Sequence, residues 1–386
     1  MIKIKTLCVS FVVCLVALIS VFTLNNSFNI NVQAYEMNTS AKAMCVLEKD
    51  SKRIIAGKNE SLKLPMASTT KIVTALTVIQ NCDNLDEVIK VSDNSIGVEG
   101  SSIYLRKDEE ISIRDLLYGL MLRSGNDSAV ALACHIGGSV EGFSNLMNKT
   151  ARKIGGNNSN FVTPHGLDHK DHYTTAYDLA LITAYALNNP IFKEIVSTKM
   201  HTVPATNKSD VRYMSNKNRL LSSLEGCCGV KTGYTTKAGR CLVSATERDG
   251  LTFVCVVLNC GPMFEESASL LNTAHSLYEN IKIIDKNREI FNEYFIDDKH
   301  GKLYLYAEDD FYFPLKDNEL KDLRLEYNVC LNDANVGDVV GEIKVFFKND
   351  LISTIKLVTM NKIDKLIDSK TLQISEILWE EKLNEN

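Results

Sequence analysis

The 386-residue sequence lacks several patterns that mark common classes of protein. It contains no Cys-x-x-Cys pair, which argues against a zinc ribbon or a thioredoxin-like site. It contains no stripe rich in lysine and arginine, and its formal net charge is −5, so a nucleic acid is not an expected partner. No internal repeat or low-complexity tract occurs either. These absences leave a globular protein of one large or two ordinary domains, and two domains are favoured.

The eleven cysteines do not form the pattern of a disulfide scaffold. Cys8 and Cys14 lie in the N-terminal apolar run, and the other nine, an odd number, are spread through a long chain. Most of them are therefore expected to be free, buried packing residues. The vicinal pair Cys227-Cys228 is interpreted as the start of a strand, and an unusual thiol role stays open as the alternative.

The N-terminus has the features of an export signal. Lys3 and Lys5 precede an apolar run over residues 7–24, and Val32-Gln33-Ala34 places small residues where signal peptidase requires them. We predict a signal peptide over residues 1–34, cleaved after Ala34. An uncleaved anchor is the alternative, because about 18 apolar residues nearly span a bilayer core. In either case the body of the protein is expected outside the cytoplasm, secreted or associated with the outer face of the cytoplasmic membrane and the cell wall.

The middle of the chain predicts a sheet assembled from distant segments. An opening hairpin is expected over residues 43–56, and a second hairpin over residues 240–259 with its strands joined by Glu247-Arg-Asp-Gly250. Between them lie helical patterns, the first starting near Ser68 with apolar residues at 72, 75, 76 and 79. A further helix is expected from about residue 265 to 281. The predicted fold class is α+β, an antiparallel sheet flanked by a helical cluster.

The last quarter of the sequence changes to short alternating segments, which predict a small all-β C-terminal domain. Residues 364–386 are expected to form a helical tail, with apolar residues from Leu372 to Leu383. The predicted domains are thus a catalytic domain over residues 35–284, a β-rich domain over 285–363 and the tail.

A serine three residues before a lysine occurs twice, at Ser68–Lys71 and at Ser353–Lys356. On a helix this spacing stacks the two side chains on one face, so that the lysine amine reaches the serine hydroxyl. On a strand the same spacing places them on opposite faces, and Ser353 lies in a strand-like segment. Only Ser68 therefore has the local structure of an activated nucleophile.

A lysine can accept the proton of a serine only when it is neutral, which requires burial or a second cation nearby. Lys231, in the run Lys231-Thr232-Gly233, is the expected second cation and can also bind a substrate carboxylate. Ser124-Gly125-Asn126, at a turn between helices, offers a hydroxyl for proton relay and an amide for a substrate peptide. Each motif by itself also fits a helix cap, a turn or a strand end. Their order, with intervals of 56 and 107 residues, and their predicted contexts argue against coincidence.

With these motifs the sequence resembles the serine penicillin-recognising enzymes over roughly residues 40 to 360, and among them the low-molecular-mass D-Ala-D-Ala carboxypeptidases. The blocks that carry the resemblance are Leu64-Pro-Met-Ala-Ser-Thr-Thr-Lys-Ile-Val-Thr-Ala75, Leu120-Met-Leu-Arg-Ser-Gly-Asn-Asp-Ser-Ala129, Thr163-Pro-His-Gly-Leu167, Thr174-Thr-Ala-Tyr-Asp-Leu179 and Gly229-Val-Lys-Thr-Gly-Tyr-Thr-Thr-Lys-Ala-Gly239. The resemblance implies a β-lactamase/transpeptidase-like fold.

The resemblance also implies a mechanism and a partner. An acyl-enzyme would form on Ser68 as the terminal D-alanine leaves a peptidoglycan stem peptide, and β-lactam antibiotics would acylate the same serine. The N–H groups of Ser68 and Tyr234 would form the oxyanion hole. The implied catalytic residues are Ser68, Lys71 and Ser124, and the implied substrate-binding residues are Asn126, Lys231, Thr232, Gly233, Tyr234 and Thr235. No cofactor and no metal is predicted.

Two departures from the family pattern concern substrate and membrane binding. Some relatives carry an arginine after the last sheet strand that holds the substrate carboxylate, but residues 259–265 contain none, so Lys231, Thr232 and Thr235 would bind it. The resemblance predicts an amphipathic C-terminal anchor, yet residues 364–386 carry three lysines against six acids, a poor match to anionic lipid. Peripheral membrane association is therefore an open expectation.

Two alternative functions and one alternative site remain. A β-lactamase would share the three motifs but needs a carboxylate to activate the deacylating water, and no Glu-x-x-Leu-Asn lies between Asn126 and Lys231. A catalytically idle cell-wall binding protein would retain the fold without the chemistry. His165, His169 and His172 are interpreted as part of a structural loop rather than as metal ligands, because Pro164 and Gly166 disfavour a helix there and no His-Glu-x-x-His is present.

Overall fold

The structure, a computed structural model, describes residues 37–290, 296–297, 301–302, 304–330, 334–360 and 371–377. The strands up to residue 258 are β1 (Ala43–Glu48), β2 (Ile54–Lys58), β3 (Val88–Lys90), β4 (Glu110–Ser112), β5 (Met200–Val203), β6 (Arg212–Ser215), β7 (Cys227–Thr235), β8 (Gly239–Arg248) and β9 (Leu251–Leu258). The helices are α1 (Lys71–Gln80), α2 (Ile113–Leu122), α3 (Asn126–Gly137), α4 (Val140–Ile154), α5 (Ala176–Ala186), α6 (Pro190–Ser197), α7 (Leu220–Ser223) and α8 (Met263–Leu277).

A five-stranded antiparallel sheet in the order β2-β1-β9-β8-β7 forms the centre of the catalytic part. Both of its faces are covered, because alternate residues of β1 enter two different clusters. Cys45 and Leu47 pack with the helices that follow β2, whereas Met44 and Val46 pack on the side of α8. The β8–β9 hairpin turns at Asp249 and Gly250, whose φ angles of 49° and 75° suit a type I′ turn. Both predicted hairpins are confirmed.

Helix α1 is buried along most of its length, with only its last residues accessible. A 3-10 turn over Ala67–Thr70 leads directly into it. Four of the other helices, α2, α4, α5 and α6, begin at side-chain caps, such as Ser112, whose Oγ accepts from the backbone N–H of Asp115. The predicted nucleophile, Ser68, lies in the 3-10 turn directly before the buried central helix.

The C-terminal part is all β among the described residues beyond 278, apart from one 3-10 turn over Leu320–Asp322. Its strands are β10 (Glu279–Ile284), β11 (Ile296–Asp297), β12 (Gly301–Lys302), β13 (Leu305–Ala307), β14 (Phe311–Leu315), β15 (Leu323–Cys330), β16 (Val339–Phe347), β17 (Asp350–Thr359) and β18 (Thr371–Ile377). Five of them form an antiparallel sheet in the order β13-β17-β16-β15-β18, and β10 pairs with β14.

The predicted helical tail is wrong where the structure describes it. Residues 371–377 form strand β18, which pairs along its whole length with β15, from Arg324 opposite Ile377 to Cys330 opposite Thr371. The pairing satisfies backbone groups that β15 would otherwise leave open at the sheet edge, and this gain overrides the weak helical pattern. The helix predicted to residue 281 also ends earlier, at Leu277, because the next residues form β10 against β14.

Arg53, in the segment between β1 and β2, joins the catalytic part to the C-terminal domain. Its guanidinium is fully buried, forms an ion pair with Glu319 at 2.7 Å and donates to the carbonyl oxygen of Pro314. It also lies over the rings of Phe313 and Phe347, at 5.5 and 4.6 Å from their centroids. The first hairpin is therefore anchored in the last domain.

The α+β fold class and the all-β C-terminal domain are confirmed. The predicted signal peptide, residues 1–34, lies outside the described residues. Within the described ranges, no helix combines the length and the apolar character needed to cross a bilayer.

Candidate active site

Ser68 and Lys71 lie where the 3-10 turn passes into α1. The helical spacing brings the lysine Nζ to 3.0 Å from the serine Oγ, as the sequence predicts. Lys71 is fully buried, while Ser68 remains partly accessible. The pair therefore presents a reachable hydroxyl with a buried amine behind it.

The amine of Lys71 has two further partners, both of which can only accept a hydrogen bond. It donates to Asn126 Oδ1 at 2.7 Å and to the carbonyl oxygen of His165 at 2.6 Å. The Nδ2 group of Asn126 donates in turn to the carbonyl oxygen of Glu99 at 2.5 Å, which fixes the orientation of the amide. The amine is thus held at a defined position beside Ser68.

The turn that carries Ser124 connects α2 to α3, as predicted. Ser124 adopts a positive φ of 63°, and the backbone N–H of Asn126 donates to Ser101 O at 2.7 Å. Within the described part of the chain the Ser124 hydroxyl has no hydrogen-bond partner, although the residue is only 4% exposed. The turn therefore supplies a sheltered hydroxyl that is open to a substrate.

Strand β7 passes very close to the turn that carries Ser68. A Cβ atom built on Gly233 would lie 2.9 Å from Ser68 N and 3.0 Å from Thr69 N, so only glycine allows this approach. Lys231, two residues earlier, is 1% exposed, and its Nζ donates to Thr232 O at 3.0 Å. The structure thus brings the Lys-Thr-Gly strand against the Ser-x-x-Lys turn.

The two residues after Gly233 differ in their surroundings. Tyr234 is 65% exposed. The hydroxyl of Thr235 donates to Asp168 Oδ1 at 3.0 Å and accepts from the backbone N–H of Ala238 at 3.0 Å. In this structure Thr235 is therefore bonded to the protein itself, and its hydroxyl would have to exchange partners to contact a substrate.

Burial and neighbouring cations lower the pKa of both active-site lysines. Burial is the largest cause of the lowered pKa of Lys71, which lies well below its usual value, and the charges of Lys231 and Lys217 add to it. Burial, and then the charge of Lys217, lowers the pKa of Lys231 to about 7. The second cation expected from the sequence is thus present, together with a third one.

Lys217 is a site residue that the sequence did not reveal. Its Nζ donates to Ser101 Oγ at 2.9 Å and its backbone N–H to Leu122 O at 3.2 Å, beside the turn that holds Ser124. No acidic side chain among the described residues forms an ion pair with it. The run Asn216-Lys217-Asn218 matches no motif, so only the tertiary structure shows this cation.

The vicinal cysteines and the histidine loop have ordinary surroundings. Cys227 and Cys228 pack against clusters on opposite sides of the sheet, so their thiols do not form a pair. The histidines lie in the segment between α4 and α5, which contains no helix, so the predicted loop is confirmed. Among the described residues no group of His, Cys, Asp or Glu side chains is suited to hold a metal ion.

Comparisons with known proteins identify the family of the chain. A family model described as D-alanyl-D-alanine carboxypeptidase matches residues 30–261, and a model described as the C-terminal domain of penicillin-binding protein 5 matches residues 278–365. The chain is 31% identical to the D-alanyl-D-alanine carboxypeptidase DacF of Bacillus subtilis over 262 residues, which are 66% of this chain and 67% of that one. It is 27% identical to DacA of Haemophilus influenzae over 376 residues, covering 90% and 93% of the two chains.

Solved structures show the same likeness over both domains. Penicillin binding protein 5 from Haemophilus influenzae superposes with a TM-score of 0.69 at 26% identity, over 86% of this chain and 100% of that one. The carboxypeptidase DacD from Francisella tularensis gives a TM-score of 0.66 at 26% identity, over 88% and 97%. With both family models matched in order along the chain, this protein belongs to the D-alanyl-D-alanine carboxypeptidase family of penicillin-binding enzymes.

Proposed function

We propose that the protein removes the terminal D-alanine from peptidoglycan stem peptides that end in D-Ala-D-Ala, through an acyl-enzyme on Ser68. The observation that carries this proposal is the buried amine of Lys71, placed between Ser68 Oγ, Asn126 Oδ1 and His165 O. Penicillins and other β-lactams would acylate the same hydroxyl.

The hydrogen-bond partners of Lys71 support its role as the base. Two of its three neighbours, the amide oxygen of Asn126 and the carbonyl oxygen of His165, have no proton to give, so the amine donates to both. A neutral amine has two protons and one lone pair, and the lone pair is then left for the Ser68 hydroxyl. The lowered pKa of Lys71 favours this neutral form.

The reaction then follows in two steps. The Ser68 proton passes to Lys71 Nζ as Oγ bonds to the carbonyl carbon of the penultimate D-alanine, and the backbone N–H groups of Ser68 and Tyr234 stabilise the oxyanion. When the amide bond breaks, the leaving amine of D-alanine takes a proton from the ammonium through the Ser124 hydroxyl. In the second step water gives a proton through the Ser124 hydroxyl to Lys71 Nζ as its oxygen bonds to the ester carbonyl carbon. Ser68 Oγ then leaves and takes the proton from Lys71, which frees the shortened peptide and Ser68.

The substrate carboxylate would be bound by cations on the β7 side of the site. Lys231 and the hydroxyl of Thr232 are the predicted partners, and Gly233 lets the peptide lie along β7. Lys217 adds a cation that has no carboxylate partner within the described residues. It can therefore compensate for the missing arginine after β9, while Asn126 holds the peptide amide.

The arrangement disfavours β-lactamase activity. Asp127, which directly follows Asn126, accepts from Ser102 Oγ at 2.6 Å and from the backbone N–H groups of Ile103 and Leu105, both at 3.1 Å. A carboxylate bonded in this way does not act as a base for deacylating water. Penicillins are therefore expected to remain bound instead of being turned over.

The direct test uses a diacetyl-Lys-D-Ala-D-Ala tripeptide with the full-length protein and Ser68→Ala. Release of D-alanine and covalent labelling by a fluorescent penicillin are expected for the wild type only. Equal release by both proteins would overturn the proposal, and release without labelling would argue for a different nucleophile. Ser353→Ala is the matched control and should behave as the wild type does.

We further propose that the enzyme acts outside the cytoplasm, as a secreted protein or at the outer face of the membrane. The signal-like residues 1–34 support this localisation, and a mature N-terminus at Tyr35 is the expected result of N-terminal sequencing. An intact N-terminus on an exported protein would indicate the uncleaved anchor instead. Peripheral membrane association would be recognised by release in high salt from membranes that carry the processed enzyme.

A further inference from the structure

The loop between α4 and α5 is hydrogen-bonded at three places to α1 and to the 3-10 turn that precedes it. Thr74 Oγ1 donates to Pro164 O at 2.7 Å, and Lys71 Nζ donates to His165 O at 2.6 Å. The third contact joins His172 Nε2 to Thr70 Oγ1 at 2.8 Å. The loop therefore follows the first turns of α1, and it supplies one of the two oxygen acceptors of the Lys71 amine.

The hydrogen bonds of His172 define which ring nitrogen carries the proton. Nδ1 lies 2.9 Å from the backbone N–H of Val162, which can only donate, so Nδ1 is the acceptor. The proton of the neutral ring is then on Nε2 and is donated to Thr70 Oγ1. The ring is 3% exposed, and burial lowers its pKa to about 3, so it is neutral in the physiological range.

A second hydrogen bond connects Thr70 to the turn that holds the nucleophile. Thr70 Oγ1 donates its own proton to Ala67 O at 2.8 Å. Ala67 directly precedes Ser68 and has a φ of 50°, which is uncommon for a residue with a side chain. A Cβ atom on Gly166 would lie 2.0 Å from Ala67 O, so the loop backbone contacts the turn at the same atom. A directed series thus runs from Val162 through His172 and Thr70 to Ala67.

We propose that His172 is a positioning residue for acylation, which holds the loop of His165 against the turn of Ser68 so that both flank the Lys71 amine. The inference rests on the proposed function, because it assumes that Ser68 and Lys71 form the reacting pair. It concerns neither substrate contact nor proton transfer by His172 itself. The imidazole of His172 would set the distance between the carbonyl oxygen of His165 and Ser68 Oγ.

The two nitrogen contacts can be separated by substitution. Asparagine places its amide oxygen near the position of Nδ1, so His172→Asn keeps an acceptor for Val162 and loses the donor for Thr70. Glutamine reaches further, and His172→Gln keeps a donor near the position of Nε2. Thr70→Val removes the receiving hydroxyl with little change of shape. If the link to Thr70 positions the site, His172→Asn and Thr70→Val should share one defect.

The experiment measures the rate constant of labelling by a fluorescent penicillin, kcat and KM for the D-Ala-D-Ala tripeptide, and the thermal midpoint. We expect His172→Asn and Thr70→Val each to label about tenfold more slowly, the effect of one lost hydrogen bond, with KM nearly unchanged. His172→Gln should recover most of the rate. The double variant of His172→Asn with Thr70→Val should be no slower than either single variant.

His169→Gln is the matched control. His169 lies on the same loop and its Nδ1 also accepts a backbone N–H, that of Asp171 at 3.1 Å, but its ring is exposed. Wild-type labelling is expected for this variant. This control distinguishes a general effect of removing an imidazole from the loop from the specific effect of losing the hydrogen bond between His172 and Thr70.

Several results would overturn the inference. Wild-type labelling by His172→Asn together with a lower thermal midpoint would make His172 a structural residue only. Equal defects in His172→Gln and His172→Asn, or additive defects in the double variant, would show that the link to Thr70 is irrelevant. If His172→Asn does not fold, Thr70→Val decides the question from the other end of the bond. Labelling of Ser68→Ala, by contrast, would refute the proposed function on which the inference rests, and it is distinguished from the results above because it requires no variant of His172 or Thr70.

Discussion

The two Ser-x-x-Lys sequences of this chain have the same spacing and opposite surroundings. Ser68 and Lys71 lie at the start of α1, where the lysine is fully buried and its Nζ is 3.0 Å from the serine Oγ. Ser353 and Lys356 lie on β17, where the lysine side chain is 60% exposed and forms an ion pair with Glu308 at 3.0 Å. One pair lies at the turn that leads into the buried helix α1 of the catalytic domain, and the other lies on a strand of the C-terminal sheet where the lysine faces solvent.

The difference shows what the four-residue pattern requires before it can do chemistry. The helical turn stacks the two side chains, whereas the strand places residues three apart on opposite faces. Burial and the neighbouring lysines lower the pKa of Lys71, but Lys356 is solvated and has a carboxylate partner. A nucleophile thus depends on local geometry and on a second segment of chain that arrives from far away in the sequence.

The largest expected effect separates the two lysines. Lys71→Met should lower the rate of acylation by about 10³-fold or more, because the serine loses its base and the amine that orders the site. Lys356→Met should leave the rate at its wild-type value. The labelling time course with a fluorescent penicillin measures both. Similar losses of acylation rate in the two variants would contradict the distinction between the Ser68–Lys71 and Ser353–Lys356 pairs.

A second prediction contrasts two glycines, one in each domain. Gly233→Ala forces a Cβ atom to within 2.9 Å of Ser68 N, and the resulting shift should lower kcat/KM by about 10²-fold. Gly341→Ala meets Asn328 O at 2.2 Å inside the C-terminal sheet, so it should lower the free energy of unfolding by about 2 kcal/mol without changing kcat/KM of the folded enzyme. Kinetics and thermal denaturation of both variants give the test.

A third prediction concerns pH and the cation beside Ser68. Since the pKa of Lys231 is about 7, its charge is lost above that pH, and kcat/KM for a carboxylate substrate should fall by up to about tenfold per pH unit. Lys231→Arg keeps its charge and should abolish this alkaline fall, whatever its absolute rate. A wild-type profile that stays level from pH 7 to 9 would contradict the assigned role.

The lowered pKa of Lys231 should affect activity and stability in opposite directions as the pH rises. Between pH 7 and about 10 the unfolded chain, with an ordinary lysine pKa, binds more protons than the folded one, so the Lys231 contribution to the free energy of unfolding rises with pH. Activity and thermal midpoint should therefore move in opposite directions over the lower part of this range. A parallel fall of both would mean that unfolding, and not titration, limits the rate.

The smallest effect on catalysis is expected at the junction of the two domains. Arg53→Met breaks the buried pair with Glu319 and should lower the free energy of unfolding by roughly 3 kcal/mol, with kcat/KM unchanged. The matched control is Lys107→Met, which removes an exposed pair with Asp93 and should leave the free energy of unfolding close to the wild-type value, because solvent screens exposed pairs. Chemical denaturation of the two variants distinguishes these values.

The sequence predicted the elements of the site better than their assembly. Apolar spacing located α1, and the motifs located Ser124 and Lys231, because helix period and turn chemistry are local. Lys217 and the carbonyl oxygen of His165 were missed, since their contacts to Ser101 and Lys71 depend on loops that meet only in the folded chain.

The C-terminal tail shows where a local pattern is not enough to predict the secondary structure. Residues 371–377 carry an apolar pattern that fits either period, and the partner strand β15 decided between them. The boundaries of the two domains, and the roles given to the individual site residues, stay predictions for the experiments above.

The position of β1 has a consequence for the order in which the molecule can form. Strand β1 pairs with β2 on one side and with β9 on the other. Met44 therefore pairs with Val257, and Arg53 forms its ion pair with Glu319, only after more than 200 further residues of chain have been added. Most of the chain must be present before its first hairpin has a stable place. Such distant pairings make folding slow, because the entropy of closing large loops is lost before the contacts are gained.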